Sequence, residues 1–290
     1  DPVSLLPVRK LSFGALQAEY GYNADGTMAW SKDGAGNQTK YAQWYRGQPR
    51  LVTQPDGTTI SATVSAGGLI TSVTDQAGSK TLYEYDAMER LKAIYYPKGD
   101  TVAWHGWTST FRLMTAADAK PAGIGEGHWM RHERQGYLNT VTYYDAFWRP
   151  LVRSQYDETN KAGSIRSTSY RYDSMGRPAF TSYPAANDSG GSTGIWTEYD
   201  ALGRVTSVSQ DSELGLLTTT TQYSGDGGYS TIVTDPRGAQ TLTWYQTFDQ
   251  PTTDFPVSVM TAEGAITEIP RDVFGKPIRI ERRSATSATP

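Results

Sequence analysis

The chain has 290 residues, which is enough for one large domain or two ordinary ones. Its 27 Lys and Arg against 30 Asp and Glu give a formal charge of −3, so the charge balance does not indicate a nucleic-acid partner. The absence of Cys excludes disulfides and thiolate metal sites, and the sequence has no apolar run of membrane-spanning length. The first residues carry neither an initiator Met nor the apolar segment of a signal peptide, and we expect a piece of a longer protein.

Helical periodicity is scarce along the chain. The best helical pattern, over residues 5–20, is interrupted by Pro7 and Gly14. After it come short alternating segments rich in Thr, Val, Ile, Tyr and Trp, many of them separated by turn residues at intervals of roughly 8–12 residues. This pattern predicts an all-β chain of short antiparallel strands.

One segment recurs along the chain. Four copies superimpose without gaps, and three degenerate copies start at residues 43, 245 and 271. The residues that define the four copies, which we expect to be structural, are Tyr85, Asp86 and Arg90; Tyr144, Asp145 and Arg149; Tyr172, Asp173, Gly176 and Arg177; and Tyr199, Asp200, Gly203 and Arg204.

The repeated Asp-x-x-Gly segments predict β-hairpin turns. The Asp side chain can accept a hydrogen bond from a backbone N–H two residues later, and the Gly tolerates a left-handed conformation. The same spacing occurs at 33–36, 75–78 and 235–238, and Pro55–Gly57 and Pro97–Gly99 resemble return turns. Stacked hairpins would then align the tyrosines in one row and the arginines in a second row.

The repeats define the expected organisation of the chain. We expect a lead-in segment at 1–19, a hairpin array at 20–283 and a flexible tail at 284–290, without a domain boundary inside the array. Extra residues fall at about 98–140, where a Gly-rich loop (118–127) is expected, and at about 205–235; residues 184–194 form another excursion.

No motif indicates catalysis or a cofactor. His128 and His132 have the spacing of a helical metal pair, but on a strand this spacing separates the side chains by about 13 Å, and packing is the simpler explanation. The repeated Asp residues could bind calcium, although the turns explain those with a following Gly. Asp157 and Glu158 are consistent with a loop, and no nucleophile, base and oxyanion set can be assembled.

Four tryptophans could contact a glycan. Aromatic rings stack on sugar faces, or they pack the sheet itself, and both interpretations stay open at this point. The residues lie in or beside the irregular 98–148 region: Trp104, Trp107, Trp129 and Trp148.

The repeats resemble the YD repeats of the Rhs family. Gly78-Ser-Lys-Thr81-Leu-Tyr83-Glu-Tyr85-Asp86 matches the first half of the family pattern, and the resemblance extends over almost the whole chain. The family includes bacterial Rhs polymorphic toxins, cocoon subunits of insecticidal Tc toxins, wall-associated proteins and teneurins. The chain shows no match to the Rhs core segment with its autoproteolytic aspartates, to a spike domain or to a variable toxin domain.

The resemblance implies an all-β spiral strip of antiparallel hairpins that forms part of a hollow shell. The implied function is structural and not enzymatic, without a cofactor: the chain would help to enclose a toxic passenger domain before delivery, within a larger exported bacterial polypeptide. The alternative is a cell-surface adhesion module that binds glycans or a protein partner. The family also implies that this chain is an arc of the strip and not a sealed shell.

Overall fold

The computed structural model describes residues 6–118, 121–225 and 228–284. The chain divides into two compact units. The first comprises Asp1–Leu113, Trp129–Val141 and Tyr156–Asn160, and the second comprises Met114–His128, Thr142–Gln155 and Lys161–Pro290. Almost all regular structure in both units is antiparallel β, which confirms the expected fold class.

The first unit contains eleven complete strands in the described residues. Each strand pairs antiparallel with the next one in sequence, from β1 to β11. The strands are β1 (Arg9–Ser12), β2 (Ala15–Tyr22), β3 (Met28–Asp33), β4 (Gln38–Ala42), β5 (Leu51–Thr53), β6 (Thr59–Val64), β7 (Ile70–Thr74), β8 (Lys80–Tyr85), β9 (Leu91–Tyr95), β10 (Trp107–Leu113) and β11 (Trp129–Gln135).

Two strands, β12 (Leu138–Tyr144) and β13 (Pro150–Asp157), have residues in both units. The second unit continues the same antiparallel order from β13 to β23. Its strands are β14 (Arg166–Tyr172), β15 (Pro178–Ser182), β16 (Gly194–Tyr199), β17 (Val205–Ser212), β18 (Gly215–Ser224), β19 (Ser230–Thr234), β20 (Gln240–Tyr245), β21 (Pro256–Met260), β22 (Ile266–Glu268) and β23 (Glu281–Arg283). A 3-10 turn (Glu158–Asn160) and one helical turn, α1 (Lys161–Ser164), join β13 to β14.

Because each strand pairs with the next in sequence, successive turns lie alternately at the two opposite ends of the strands. We call each row of strand ends an edge of the sheet. We call the edge that carries the Tyr-Asp turns the Tyr-Asp edge. In the first unit this edge carries the turn that starts at Asp86. In the second unit it carries the Tyr-Asp turns that start at Asp145, Asp173 and Asp200 and the degenerate Arg271-Asp272 turn. The turns at Asp33 and Asp75 lie on the opposite edge of the first unit, and the turn at Asp235 lies on the opposite edge of the second.

The described residues form only a thin apolar core. Phe180 is the largest fully buried side chain, and the next two in volume, Asn139 and Ser167, are small and polar. The chain exposes 18776 Å², whereas a chain of this mass folded around a single core exposes about 12,000 Å². Inter-strand hydrogen bonds and contacts between half-exposed side chains therefore provide much of the cohesion.

The lead-in and one return turn differ from the sequence-based expectation. The interrupted helical pattern forms β1 and β2, which are joined by a two-residue turn in which Phe13 and Gly14 both have positive φ. Pro97–Gly99 is part of the longer connection between β9 and β10, whereas Pro55–Gly57 does close a tight hairpin. Residues 1–5 of the lead-in, 119–120 of the Gly-rich loop and 285–290 of the tail lie outside the described residues.

Candidate functional site

The repeated Tyr-Asp turn is built around one carboxylate, as the turn at Asp173 shows. The Asp173 N–H donates to the Arg177 carbonyl at 2.9 Å, and the Gly176 N–H donates to the Asp173 carbonyl at 3.0 Å. Asp173 Oδ1 accepts the backbone N–H groups of Met175 and Arg177, both at 2.9 Å. Gly176 has a φ of +82°, which confirms the expected conformation.

The second carboxylate oxygen binds the arginine at the end of the turn. Arg177 Nε donates to Asp173 Oδ2 at 2.6 Å. The same bond is formed in the other three complete copies, at 2.8 Å for Arg90 to Asp86, 2.7 Å for Arg149 to Asp145 and 2.7 Å for Arg204 to Asp200. Both oxygens of each carboxylate are thus used inside its own turn, which favours a structural role over calcium binding.

These contacts shift the titration of the turn carboxylates. Desolvation raises the pKa of Asp173 and Asp200, but hydrogen bonds from the backbone N–H and guanidinium of the following Arg outweigh it, and both pKa values lie below the ordinary 3.8. The pKa of Asp86 is lowered chiefly by the side-chain hydrogen bond from Arg90. The turns therefore stabilise the ionised carboxylates.

Each turn arginine also reaches the next hairpin. In the second unit the guanidinium carbons lie 4.2–4.5 Å from the centroid of the next tyrosine ring, in the pairs Arg149–Tyr172, Arg177–Tyr199 and Arg204–Tyr223. In the first unit Arg90 lies over Phe111 at 4.7 Å. The expected separate rows of tyrosines and arginines are therefore wrong: each arginine covers the ring of the following hairpin, which is a cation–π arrangement.

The hydroxyl of each tyrosine is held by the preceding hairpin. Tyr172 donates to the carbonyl of Pro150 at 2.9 Å, and Tyr199 donates to the carbonyl of Pro178 at 2.8 Å. In both cases the acceptor is the residue directly after the arginine that covers the ring. The guanidinium and this carbonyl together form a cradle that links consecutive hairpins.

Two partners of these arginines, Phe111 and Tyr223, were not predicted from the sequence. Tyr223 hydrogen-bonds through its hydroxyl to the carbonyl of Val205 at 2.9 Å, as the other tyrosines do with their acceptors. It precedes Ser224 and not an Asp, so it falls outside the repeat pattern. Its position one hairpin after Tyr199 was the signal that could have identified it.

Two complete copies lack the turn glycine but keep its conformation. Glu89 has a φ of +60° and Trp148 has a φ of +64°, at the positions of Gly176 and Gly203. Because left-handed conformations disfavour side chains with a Cβ, these two turns store strain that the Asp–Arg contacts hold in place.

Trp104 lines an open cleft in the first unit. The cleft has a volume of about 590 Å³ and is lined by Asp75, Ser79, Thr81, Tyr96, Pro97, Lys98, Gly99, Asp100 and Trp104. The indole N–H of Trp104 donates to Asp100 Oδ2 at 2.8 Å, and its ring centroid lies 6.1 Å from that of Tyr96. The ring is oriented by these contacts while 62% of the residue stays exposed.

The other candidate tryptophans do not line this cleft. Trp129 stacks on Phe111, with ring centroids 5.0 Å apart and planes 11° apart. Trp107 lies under the guanidinium of Arg131 at 6.0 Å. Trp148 is half-exposed in a turn of the second unit. Trp107 and Trp129 thus pack within the sheet, and Trp104 has the most open environment of the four.

The histidines and the paired acids have local partners. His132 Nε2 lies 2.7 Å from Asn139 Oδ1, and His128 Nδ1 lies 3.1 Å from the carbonyl of Gly125. Asp157 accepts hydrogen bonds from Thr159, and Glu158 pairs with Arg134. Within residues 6–118, 121–225 and 228–284, no group of three or more His, Asp or Glu is placed to hold a metal ion.

Comparisons with known proteins agree with this geometry. Residues 65–101 match the family model described as RHS Repeat, and this range includes the first complete Tyr-Asp turn. No curated protein matches the chain. No helix of the described residues is long and apolar enough to cross a membrane.

Two solved structures share the fold at low sequence identity. The crystal structure of TcdB2-TccC3 matches with a TM-score of 0.60 and 14% identity over 91% of this chain and 16% of that chain. The crystal structure of TcdB2-TccC3-Cdc42 matches with a TM-score of 0.53 and 11% identity over 94% of this chain and 23% of that chain. The chain therefore spans about a sixth to a quarter of the length of these relatives.

The turns, their arginine links and the ordered antiparallel pairing define a protein of the β-hairpin repeat class. Residues 65–101 carry the match to the RHS Repeat model, and the chain shares its fold with the TcdB2-TccC3 structure.

Proposed function

We propose that the chain is a structural segment of a shell and that it helps to enclose a toxic passenger domain before delivery. The shell would belong to a larger exported polypeptide, which provides the remaining wall and the passenger. The observation that carries this proposal is the link between consecutive hairpins, in which one arginine binds its own turn and covers the next ring.

This link suits a wall better than a compact domain. A wall one sheet thick cannot rely on a deep core, so each hairpin needs lateral contacts to its neighbour. Arg177 supplies two of them while it binds Asp173 in its own turn: it covers Tyr199 and donates from Nη1 to the Asp200 carbonyl at 3.0 Å. A chain of such contacts lets the sheet grow by adding hairpins.

Protease protection tests the enclosure. The complete reading frame that encodes this chain is expressed and digested under native conditions, and the survival of any further domain is followed by mass spectrometry. We expect a protected passenger in the wild type and faster digestion when Arg149, Arg177 and Arg204 are all changed to Ala. Arg237→Ala is the control, because Arg237 is 89% exposed at the side chain. A passenger that is digested as fast as the same domain alone would contradict the proposal.

A second candidate function is glycan binding at the Trp104 cleft. The cleft combines an exposed, fixed indole face with polar side chains, including Ser79, Lys98 and Asp100, that can bind sugar hydroxyls. This arrangement favours a short saccharide.

A glycan array tests this second function. We expect binding by the purified chain and its loss in Trp104→Ala, whereas Trp148→Ala, a similarly exposed tryptophan of the second unit, keeps it. No binding, or equal losses in both variants, would remove glycan binding from consideration.

A further inference from the structure

The Asp turns on the Tyr-Asp edges share an exposed apolar residue that the turn itself does not require. In each of five turns the residue two positions after the Asp is large and apolar, and it is between 73% and 85% exposed. These residues are Met88, Phe147, Met175, Leu202 and Phe274. We call the three that lie on consecutive hairpins of the second unit, Phe147, Met175 and Leu202, the tip row.

The opposite edges provide an internal comparison. The Asp turns at 33, 75 and 235 have the same backbone hydrogen bonds and a positive-φ Gly, yet the equivalent residues are Ala35, Ala77 and Arg237. This residue contributes its backbone N–H to the turn carboxylate, as Met175 and Ala77 do, and only Arg237 among these eight residues adds a side-chain contact to it. Neither the turn geometry nor burial therefore explains why the five residues on the Tyr-Asp edges are apolar.

The tip row is regular along its edge. Consecutive Tyr-Asp turns are two strands apart, and strands lie about 4.8 Å apart, so Phe147, Met175 and Leu202 follow one another at about 10 Å. Beside each of these three tips stands the ion pair of its own turn, whose charges cancel. The row thus offers evenly spaced apolar side chains without net charge between them.

We propose that the tip row is an interface for the tip row of a second copy of this chain. A row of apolar side chains at about 10 Å intervals is complementary to an identical row displaced by half that interval, which gives a two-fold contact of the same surface on both copies. The cancelled charges allow two such edges to approach without like-charge repulsion. This interface goes beyond the shell proposal and does not depend on it.

The exposed area is consistent with a reversible dimer. Three large apolar side chains bury roughly 400 Å² per copy, against about 800 Å² per partner in a standard interface. The row accordingly predicts association at micromolar and higher concentrations, and Phe147, its aromatic member, supplies the largest contact.

Analytical ultracentrifugation of the whole chain tests the proposal. We expect the wild type to sediment at twice 31.8 kDa at high micromolar concentration and to dissociate on dilution. The triple variant Phe147→Ser, Met175→Ser, Leu202→Ser should stay monomeric at the same concentrations. Leu214→Ser is the matched control: it is 88% exposed at a turn on the opposite edge, and its dimer should persist.

Every other outcome would overturn the proposal. A monomeric wild type excludes the interface. A triple variant that still dimerises indicates pairing through the end strands β1 or β23. Loss of association in both variants, or open-ended assembly of the wild type, indicates contact between opposite edges.

Disulfide cross-linking gives a second measurement that does not depend on apolar substitutions. Because the chain has no Cys, Met175→Cys introduces a single thiol at the tip row and Leu214→Cys introduces one on the opposite edge. We expect oxidation to link Met175→Cys into covalent dimers at concentrations where Leu214→Cys stays unlinked. Equal linking in the two variants contradicts the proposal, and circular dichroism verifies that each variant is folded.

Discussion

At the scale of single residues, the position three after each turn aspartate determines how much strain a hairpin carries. Gly203 occupies it without strain at a φ of +82°, and Glu89 occupies it at +60°. Both turns have the same hydrogen bonds to their carboxylate. The carboxylate contacts are thus strong enough to impose the left-handed conformation on a residue that disfavours it.

Replacing a turn glycine should destabilise the chain. Gly203→Ala adds a Cβ that would make only an ordinary contact, 3.7 Å from Arg177, so the change reports the cost of the backbone conformation. We expect the free energy of unfolding to fall by about 1 kcal/mol, and by about 1–2 kcal/mol for Gly203→Val. Chemical denaturation measures it, with Gly225→Ala as control, since nothing lies near its Cβ and its φ is not positive. Unfolding curves of Gly203→Val that match the wild type would contradict the turn assignment.

The opposite change should stabilise the degenerate turn. Glu89→Gly removes the left-handed strain, and even after the larger entropy of the unfolded glycine is counted we expect a gain of about 0.5 kcal/mol. Ala87→Gly, in the same turn but without a positive φ, should lower stability instead. A loss of stability in Glu89→Gly equal to that of Ala87→Gly would show that the turn holds no strain at residue 89.

At the scale of elements, the hairpins are linked through arginine rather than through packed apolar faces. Arg177 belongs to the turn between β14 and β15, but its guanidinium lies over Tyr199, the last residue of β16. The tyrosine hydroxyl returns to the carbonyl of Pro178 at the start of β15. Each link therefore joins one hairpin to the next.

A double-mutant cycle measures this link. We expect Arg177→Leu and Tyr199→Leu to be coupled by about 0.5–1 kcal/mol in the free energy of unfolding, which is the usual range for a cation–π pair. Arg177→Lys should recover little of the coupling, because an ammonium cannot bind Asp173 and cover the ring as a planar guanidinium does. Arg237 paired with Tyr199 is the uncoupled control. Additive effects of the Arg177 and Tyr199 changes would exclude the link.

At the scale of the whole molecule, the turn carboxylates together make the stability of the fold depend on pH in the acid range. The pKa values of Asp86, Asp145, Asp173 and Asp200 all lie below 3.8, because hydrogen bonds and the neighbouring guanidinium favour the ionised form over the opposing desolvation. A carboxyl group with a lowered pKa in the folded state contributes stability above its unfolded pKa. That contribution disappears as the pH falls through the folded value.

Acid titration of stability should show this contribution. We expect the free energy of unfolding to be nearly constant above pH 5 and to decrease progressively as the pH falls below 3.8. The variant Asp173→Asn, Asp200→Asn should be less stable at neutral pH and show a shallower decrease. If the free energy of unfolding depends on acid pH equally in the variant and the wild type, these turns are not the source of the decrease. The measurement is denaturant unfolding at each pH.

The sequence by itself determined the strands and the turns. Alternation of β-branched and aromatic residues sets strand identity, and Asp-x-x-Gly sets the turn, because both depend on residues only a few positions apart. At 5–20 the aliphatic spacing resembled a helix, but the Phe13-Gly14 turn and the pairing of β1 with β2 favoured strands. The fold class could therefore be predicted from these local sequence patterns and from the 14 residues that define the repeat.

The tertiary structure decided which side chains of different hairpins meet. The pairing register between neighbouring hairpins places Arg149 over Tyr172 instead of beside another arginine. The spacing of residues within one repeat contains no information about that register. The same holds for Trp104, which joins Asp75 in one cleft because β7 and β9 end at the same edge of the first unit. Pairing register and edge alternation are properties of the assembled sheet, so these contacts exist only once the strands have paired.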